Sequence, residues 1–259
     1  MSHRPLDVLA IAAHRDDVEQ TCGGTLLKMA ERGQATGILD LTQGEMGTRG
    51  TAEDRAQEAA EAARILKAAF RRALDIPDGR VENTWENRLK IAGVIREQRP
   101  RVVILPYWRG RHPDHYTCAT LGYEACFLAG LGKLELKLEA SRQAPAIERT
   151  SEKNVSLLAP HRPFKIIYAS LYYDVRPTFV VDITAQFEGR LESIYAYKSQ
   201  FTDQHAGSGD FPAHAEIRER VATMARYYGM LAGVTYAEPF IQKEVGLVED
   251  LTMIPVKSI

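Results

Sequence analysis

Residues 6–24 read LDVLAIAAHRDDVEQTCGG, and the first eight of them set the fold. Leu6 to Ala13 form a short, nearly continuous apolar run, the pattern of a strand buried on both faces. Such a strand belongs to a parallel sheet covered by helices. The run stops at His14, Arg15, Asp16 and Asp17. Charge away from water is costly without a partner. A cation, a substrate or solvent must therefore meet these side chains at the strand's end.

The pattern repeats downstream. Gly23 and Gly24 precede TLLKMAERG (25–33), a predicted helix that stops at Gly33. ATGILDLT (35–42) reads as a second strand. TAEDRAQEAAEAARILKAA (51–69) reads as an alanine-rich helix whose first-turn acids suit its dipole. RALDIPDG (72–79) is a short strand and turn, NTWENRLKIAGVIREQRP (83–100) a helix closed by Pro100, and RVVILPYW (101–108) a strong strand. Strand and helix alternate over about residues 1–132. This predicts an α/β fold with a mostly parallel sheet, right-handed crossovers and helices on both faces. Ligands bind such sheets beyond the carboxyl ends of the strands, where His14, Asp16 and Asp17 stand.

From about residue 133 to 259 the pattern is less regular. Residues 133–160 are polar and mixed, a predicted surface excursion. FKIIYASLYY (164–173) and TFVVDIT (178–184) read as strands, and AQFEGRLESIYAYKSQF (185–201) as a helix. DQHAGSGDFP (203–212) has the composition of a mobile loop. AEIRERVATMARYYGMLAGV (215–234) reads as a long helix with apolar residues at helical spacing. There is no internal repeat. A single domain over residues 1–259 is the economical expectation, with the C-terminal part covering the sheet and the site.

The totals agree. A chain of 259 residues suffices for one large domain. A net charge of -1 suggests neither a nucleic-acid nor a membrane partner. No stretch approaches the roughly 18 apolar residues of a membrane span. The N-terminus runs straight into a strand pattern without a signal-peptide apolar region. Cys22, Cys118 and Cys126 are too few and too scattered for a disulfide framework. A reduced, cytoplasmic protein acting on a small molecule is expected.

A second cluster answers the first. RGRHPDHYTCATLGYEACFLAG (109–130) puts Arg109, Arg111, His112, Asp114 and His115 beyond the RVVILPYW strand, on the same rim. Catalytic zinc takes three N and O ligands and leaves a position for water. His14, Asp17 and one histidine of HPDH make such a set. Bound zinc lowers the pKa of water to about 7 and polarises a carbonyl. A carboxylate that does not ligate, such as Asp16, can take the water's proton. The other histidine, oriented by Asp114, can stabilise an oxyanion or protonate a leaving amine. Each cluster alone also reads as a cap or a turn. Together on one rim they favour a metal site. Gly23 and Gly24 have the alternative reading of a phosphate cradle at a helix start. No G-x-G-x-x-G or Walker pattern accompanies them, and two preceding acids would repel a pyrophosphate. Cys22 reads as a small buried residue, and His3, His161, His205 and His214 as surface or loop histidines.

AAHRDDVEQTCGG (12–24) together with GRHPDH (110–115) resembles the PIG-L/LmbE-type zinc-dependent N-deacetylases, with motifs A-H-P-D-D-x-E and H-x-D-H. The segments 38–66, 115–134, FVVDIT (179–184), AYKSQF (196–201) and YAEPF (236–240) resemble the branch that serves bacillithiol biosynthesis. The resemblance spans about residues 6–242 and implies a Rossmann-like fold. It implies one Zn2+ per chain, or another divalent metal, held by His14, Asp17 and His115. It implies Asp16 as general base, and His112, oriented by Asp114, as acid or as stabiliser of the tetrahedral intermediate. Tyr197 looks like a mobile oxyanion donor, and Arg55 and Arg111 like substrate-binding positions. The implied reaction converts N-acetylglucosaminyl L-malate to glucosaminyl malate and acetate, in a homo-oligomer that is commonly a hexamer.

Malate carboxylates suit the bidentate fork of arginine, which adds Arg49 and Arg109 to the substrate-binding candidates. Other acetylated amino sugars or thiol-conjugate amides are the alternative substrates. A non-catalytic sugar- or nucleotide-binding module is the reading from another class, but it has no need of two acids, two histidines and an Asp–His pair on one rim. One departure stands out: Arg15 replaces the family proline. Arg15 is expected to point to solvent or pair with Glu19, and otherwise to contact substrate or weaken metal retention.

Overall fold

A computed structural model describes residues 4–137, 157–170, 174–201 and 214–256. The opening apolar run forms β1 (Val8–Ala12), every residue of which is buried. Its side chains alternate between two cores. Leu9 and Ile11 pack with residues of α3 (Trp85–Gln98) and α4 (Pro113–Ala129), whereas Val8, Ala10 and Ala12 pack with residues of α1 (Asp17–Glu31). This two-sided burial is why no polar residue interrupts the strand. Each buried side chain the size of Leu9 contributes about 1.5–3 kcal/mol.

β1 lies parallel between β2 (Thr36–Asp40) and β4 (Val102–Pro106). β3 (Phe70–Ala73) continues the parallel sheet beyond β2, and β5 (Lys165–Ala169) beyond β4. With β6 (Phe179–Asp182) and β7 (Ala237–Ile241), the sheet has seven strands in the order β3-β2-β1-β4-β5-β7-β6. The chain leaves β1 towards β3, then returns to the other side of β1 as β4. That reversal opens a crevice above the carboxyl ends of β1 and β4. The loop after β1 carries His14 and the loop after β4 carries His112, so both enter the crevice.

Local sequence sets most helix ends. Thr51 and Asp54 form a reciprocal capping box at the start of α2 (Ala52–Ile65). Thr84 caps α3, which ends on Arg99 in the left-handed conformation just before Pro100. His112 caps α4, with Pro113 in its first turn.

Four features depart from the sequence expectations. The first helix begins at Asp17 rather than after Gly24, with a non-helical Cys22 inside it (φ -144°). The strand of RALDIPDG begins earlier, at Phe70. The segment 185–201 is not one helix: a 3₁₀ turn (Thr184–Gln186) leads into α5 (Phe187–Tyr195), and α6 (Lys198–Phe201) follows after a break. β7 has no counterpart among the expected strands, because Glu238 and Pro239 disguise a fully buried one. It pairs antiparallel with both β5 and β6. The 203–212 loop and most of the 133–160 excursion lie outside the described residues. The long C-terminal helix is α7 (His214–Ala232). Among the described residues, no helix is long and apolar enough to cross a membrane.

Candidate metal centre

The loop after β1 and the start of α4 bring three donor atoms together. His14 Nδ1 lies 3.1 Å from His115 Nε2 and 3.3 Å from Asp17 Oδ2. His115 Nε2 lies 3.2 Å from Asp17 Oδ1. The carboxylate is fixed in turn by the His14 backbone N–H, which donates to Asp17 Oδ2 at 2.9 Å. Two imidazoles and one carboxylate converging this closely form a donor set suited to a divalent cation such as zinc.

The far side of His14 explains which nitrogen is left for a cation. Its Nε2 faces Asp78 Oδ1 at 3.0 Å and Asp114 Oδ2 at 3.4 Å. An Nε2–H held by a carboxylate leaves Nδ1 as the coordinating atom, the usual carboxylate–histidine–metal arrangement. Burial by itself would lower the His14 pKa, but Asp17, Asp114 and Asp78 raise it to about 12. Burial would likewise raise Asp17, yet His115 and His14 hold it well below the usual carboxylate range. The cluster therefore demands positive charge at its centre. A proton on His14 meets the demand when no cation is bound.

Asp78 escaped the sequence reading. It sits in the turn after β3, on the same rim, and its Oδ2 accepts from the Met46 N–H at 3.0 Å. The IPDG turn at a strand's carboxyl end was the signal that could have flagged it.

Asp114 departs from its expected role. Its carboxylate lies within 4.8 Å of a His112 nitrogen but makes no hydrogen bond to it. It accepts from the backbone N–H groups of Gly79 (2.8 Å) and Val81 (3.2 Å) and so ties the turn after β3 to α4. What orients His112 is backbone: the N–H of Asp114 donates to His112 Nδ1 at 3.2 Å. The neutral ring then carries its proton on Nε2. Burial and the nearby His14 and His115 lower the His112 pKa, which favours that neutral form. The His112 ring stacks on His115 with centroids 4.7 Å apart.

Asp16 diverges from Asp17, although the two are adjacent. Its Oδ1 accepts from Arg55 Nη2 at 2.9 Å, and its Oδ2 from Gln20 Nε2 at 3.3 Å. Both acids border a cavity of about 930 Å³, whose floor also includes His14, Asp78, His112 and His115. Residues of α7, among them Ile217, Met224 and Tyr228, form one wall.

The four arginines separate. Arg55 and Arg111 line the cavity. Arg55 is buried and engages Asp16, and its Nε has no hydrogen-bond partner among the described residues. Arg109 instead borders a recess of about 20 Å³ behind Asp17 and His115. Arg49 lines neither space, and its carbonyl accepts from Gln200 Nε2 at 2.8 Å.

Two expectations are overturned by burial. Tyr197 is fully buried, and its hydroxyl donates to the Arg15 carbonyl and lies 3.1 Å from Glu19 Oε1. It is packed beneath the site and does not line the cavity, so it is no mobile oxyanion donor in this arrangement. Arg15 neither points to solvent nor pairs with Glu19. It is 7% exposed and donates to the Ala52 carbonyl at 2.6 Å, at the start of α2.

Glu19 pairs with Arg71 at 2.6 Å, and Arg71 also engages Asp40 (2.9 Å), the Ala59 carbonyl (3.2 Å) and the Arg15 carbonyl. Burial pushes Glu19 up to about 7 against the pull of Arg71. Nothing local in FRRA (70–73) announced that Arg71 would hold up the His14–Asp17 loop from below.

The remaining candidates are structural. Cys22, Cys118 and Cys126 are buried and free, Cys22 as expected of a small core residue. His161 is partly buried rather than loose, with Nε2 2.8 Å from the Pro100 carbonyl. His3, His205 and the side chain of His214 lie outside the described residues.

Comparison with known proteins fits this geometry. Residues 9–126 match the model of the family PIG-L, described as GlcNAc-PI de-N-acetylase. The chain is 32% identical over 243 residues to the diacetylchitobiose deacetylase of Thermococcus kodakarensis, covering 89% of this chain and 80% of that protein. Its fold superposes on a conserved protein of Thermus thermophilus with a TM-score of 0.76, at 40% identity and over 94% and 98% of the two chains. The N,N'-diacetylchitobiose deacetylase of Pyrococcus horikoshii follows at a TM-score of 0.72 and 26% identity, over 90% and 82%.

Proposed function

The chain belongs to the PIG-L family of deacetylases, and from that premise we propose that it removes the N-acetyl group of N-acetylglucosaminyl L-malate, releasing acetate. The coarser reaction is hydrolysis of an amide on an acetylated amino sugar. The observation that carries the proposal is the meeting of His14 Nδ1, Asp17 and His115 Nε2 within 3.3 Å, beside a separate carboxylate in the same cavity.

In this reading His14, Asp17 and His115 hold Zn2+, although other divalent ions suit the same donors. When bound, such a cation supplies a Lewis acid for the acetyl carbonyl and makes nearby water acidic. Asp16, steadied by Arg55, takes the proton from the attacking water. His112 offers its Nε2–H to the carbonyl oxygen as negative charge develops there. One such donor is worth about 3–4 kcal/mol in the transition state. The amine leaves with a proton returned by Asp16 or supplied by His112.

The malate assignment rests on charge and room. Arg111 lines the cavity just ahead of α4, and its guanidinium is of the type that suits a carboxylate. A cavity of about 930 Å³ takes a sugar together with its substituent. The test compares acetate release from N-acetylglucosaminyl malate and from N-acetylglucosamine by the zinc-loaded protein. A strong preference for the conjugate, with Arg111→Ala raising KM for the conjugate alone, is the expected result. Equal rates on both substrates, or equal KM effects of Arg111→Ala on both, would discard malate and leave a general amino-sugar deacetylase.

A further inference from the structure

Gly23 and Gly24 carry the alternative sequence reading of a phosphate cradle, and the N–H groups of Gly24 and Thr25 do hold a carboxylate, one of the chain's own. Glu238 of β7 is fully buried. Its Oε1 accepts from the Gly24 N–H at 2.9 Å and its Oε2 from the Thr25 N–H at 2.7 Å. These are the free N–H groups of a helix that restarts after the non-helical Cys22. The short turn before the break ends on carbonyls that also need partners. Arg190 of α5 supplies them, donating to Glu19 O (3.2 Å) and Gln20 O (2.5 Å). Arg190 Nε lies 3.1 Å from Glu238 Oε1, which joins the two caps. A Cβ at Gly24 would stand 2.9 Å from Ile183 Cδ1 and 3.0 Å from Glu238 Oε1, so a larger residue would crowd both the carboxylate and Ile183.

We propose that Glu238 and Arg190 are positioning residues: a buried ionic splint across the break in α1 that sets the first turn, and with it Asp17, at the angle the cation needs. A continuous helix would fix the direction of Asp17 by the axis of Thr25–Glu31. The break uncouples them, and the splint replaces the lost backbone bonds with charged ones from β7 and α5. Neither residue touches the proposed cation. Their effect passes through the Glu19 and Gln20 carbonyls to the turn that begins at Asp17. The inference rests on the reading of Asp17 as a metal ligand.

The test measures Zn2+ affinity of the full chain by competition with a chelating dye. In Glu238→Gln, the amide NH2 faces the Thr25 N–H and one cap bond is lost. In Gly24→Ala, the new methyl crowds Ile183 and shifts the carboxylate by a few tenths of an ångström. Each is expected to weaken Zn2+ binding roughly tenfold or more, the usual scale for groups that orient metal ligands. At saturating zinc, kcat falls while KM for substrate stays near wild type. The control is Arg96→Gln. Arg96 is equally buried and caps the carbonyls of Ala129, Leu131 and Leu134 on the other side of the sheet. It is expected to lower the melting temperature without moving Zn2+ affinity. Wild-type affinity in Glu238→Gln or Gly24→Ala would overturn the splint, as would an equal loss in Arg96→Gln. Gly24→Ala decides the matter alone if Glu238→Gln does not fold. Absence of Zn2+ binding by the wild-type chain would instead refute the metal-centre reading itself.

Discussion

The two loops that meet at the metal centre are held in opposite ways. The β4 side is held by a helix cap and by backbone N–H groups. His112 caps α4, Pro113 starts it, and Asp114 accepts two N–H groups from the nearby 79–81 turn. The β1 side is organised from a distance. Its His14–Asp17 loop rests on Arg71 from β3, on Arg55 from α2, and on the Arg190–Glu238 pair from α5 and β7. One half of the site is held by its own helix cap and by backbone N–H groups of the 79–81 turn, the other by buried charges from four further elements. The chemistry is expected to follow the same division, with the reacting groups concentrated on the distantly supported side.

The largest effect should come from Asp16. Asp16→Asn keeps the shape but removes the proton acceptor, so turnover is expected to fall about 100- to 10,000-fold while zinc stays bound. Steady-state kinetics together with metal analysis of the same sample checks both halves of that statement. Near-normal turnover would move the base elsewhere and erase the contrast between the two loops.

Support should differ next. Arg71→Gln leaves Glu19 and Asp40 buried without their cation, and a loss of about 3–5 kcal/mol is expected in denaturant unfolding. Pro113→Ala on the β4 side should cost less than about 1 kcal/mol, because the His112 cap and the Asp114 bonds survive. Comparable losses would mean that the β1 loop is no more dependent on buried charge than its counterpart.

The last effect is a pH dependence confined to the metal-free protein. His14 has a folded pKa of about 12 against an ordinary value of 6.5. The native state therefore binds more protons above pH 6.5. The associated stability is fully present below pH 6.5 and is lost as pH rises towards the folded value, with a slope of up to about 1.4 kcal/mol per pH unit. With zinc bound, the cation replaces that proton and the slope should flatten. Melting curves from about pH 6.5 to 9.5, with and without zinc, read this directly. Identical slopes would show that the proton and the cation do not compete for His14.

The same division explains what the sequence disclosed. The doubly buried strands, the crossover order and the two clusters are local patterns. They were legible because apolar runs and turn residues leave a signature within a short stretch of chain. His112 and His115 fell in such a run, as did His14, Asp16 and Asp17. Arg71, Glu238 and Arg190 left no such mark, since an ion pair between β7 and α5 across a break in α1 exists only once the chain is folded. Tyr197 misled for that reason: its motif carried a role, but its place beside Arg15 and Glu19 is a matter of packing. Arg15 misled similarly, because a charged residue in a loop gives no hint that the α2 terminus will cover it. Asp78 lay between these cases, in a recognisable turn whose partner was not.

The most direct test of the central claim is acetate release from an N-acetylglucosamine conjugate by protein stripped with a chelator and then titrated with Zn2+. We expect no release from the stripped protein and full recovery at one zinc per chain, with His115→Ala failing to recover. Undiminished release by the stripped wild-type protein would contradict a reaction centred on His14, Asp17 and His115.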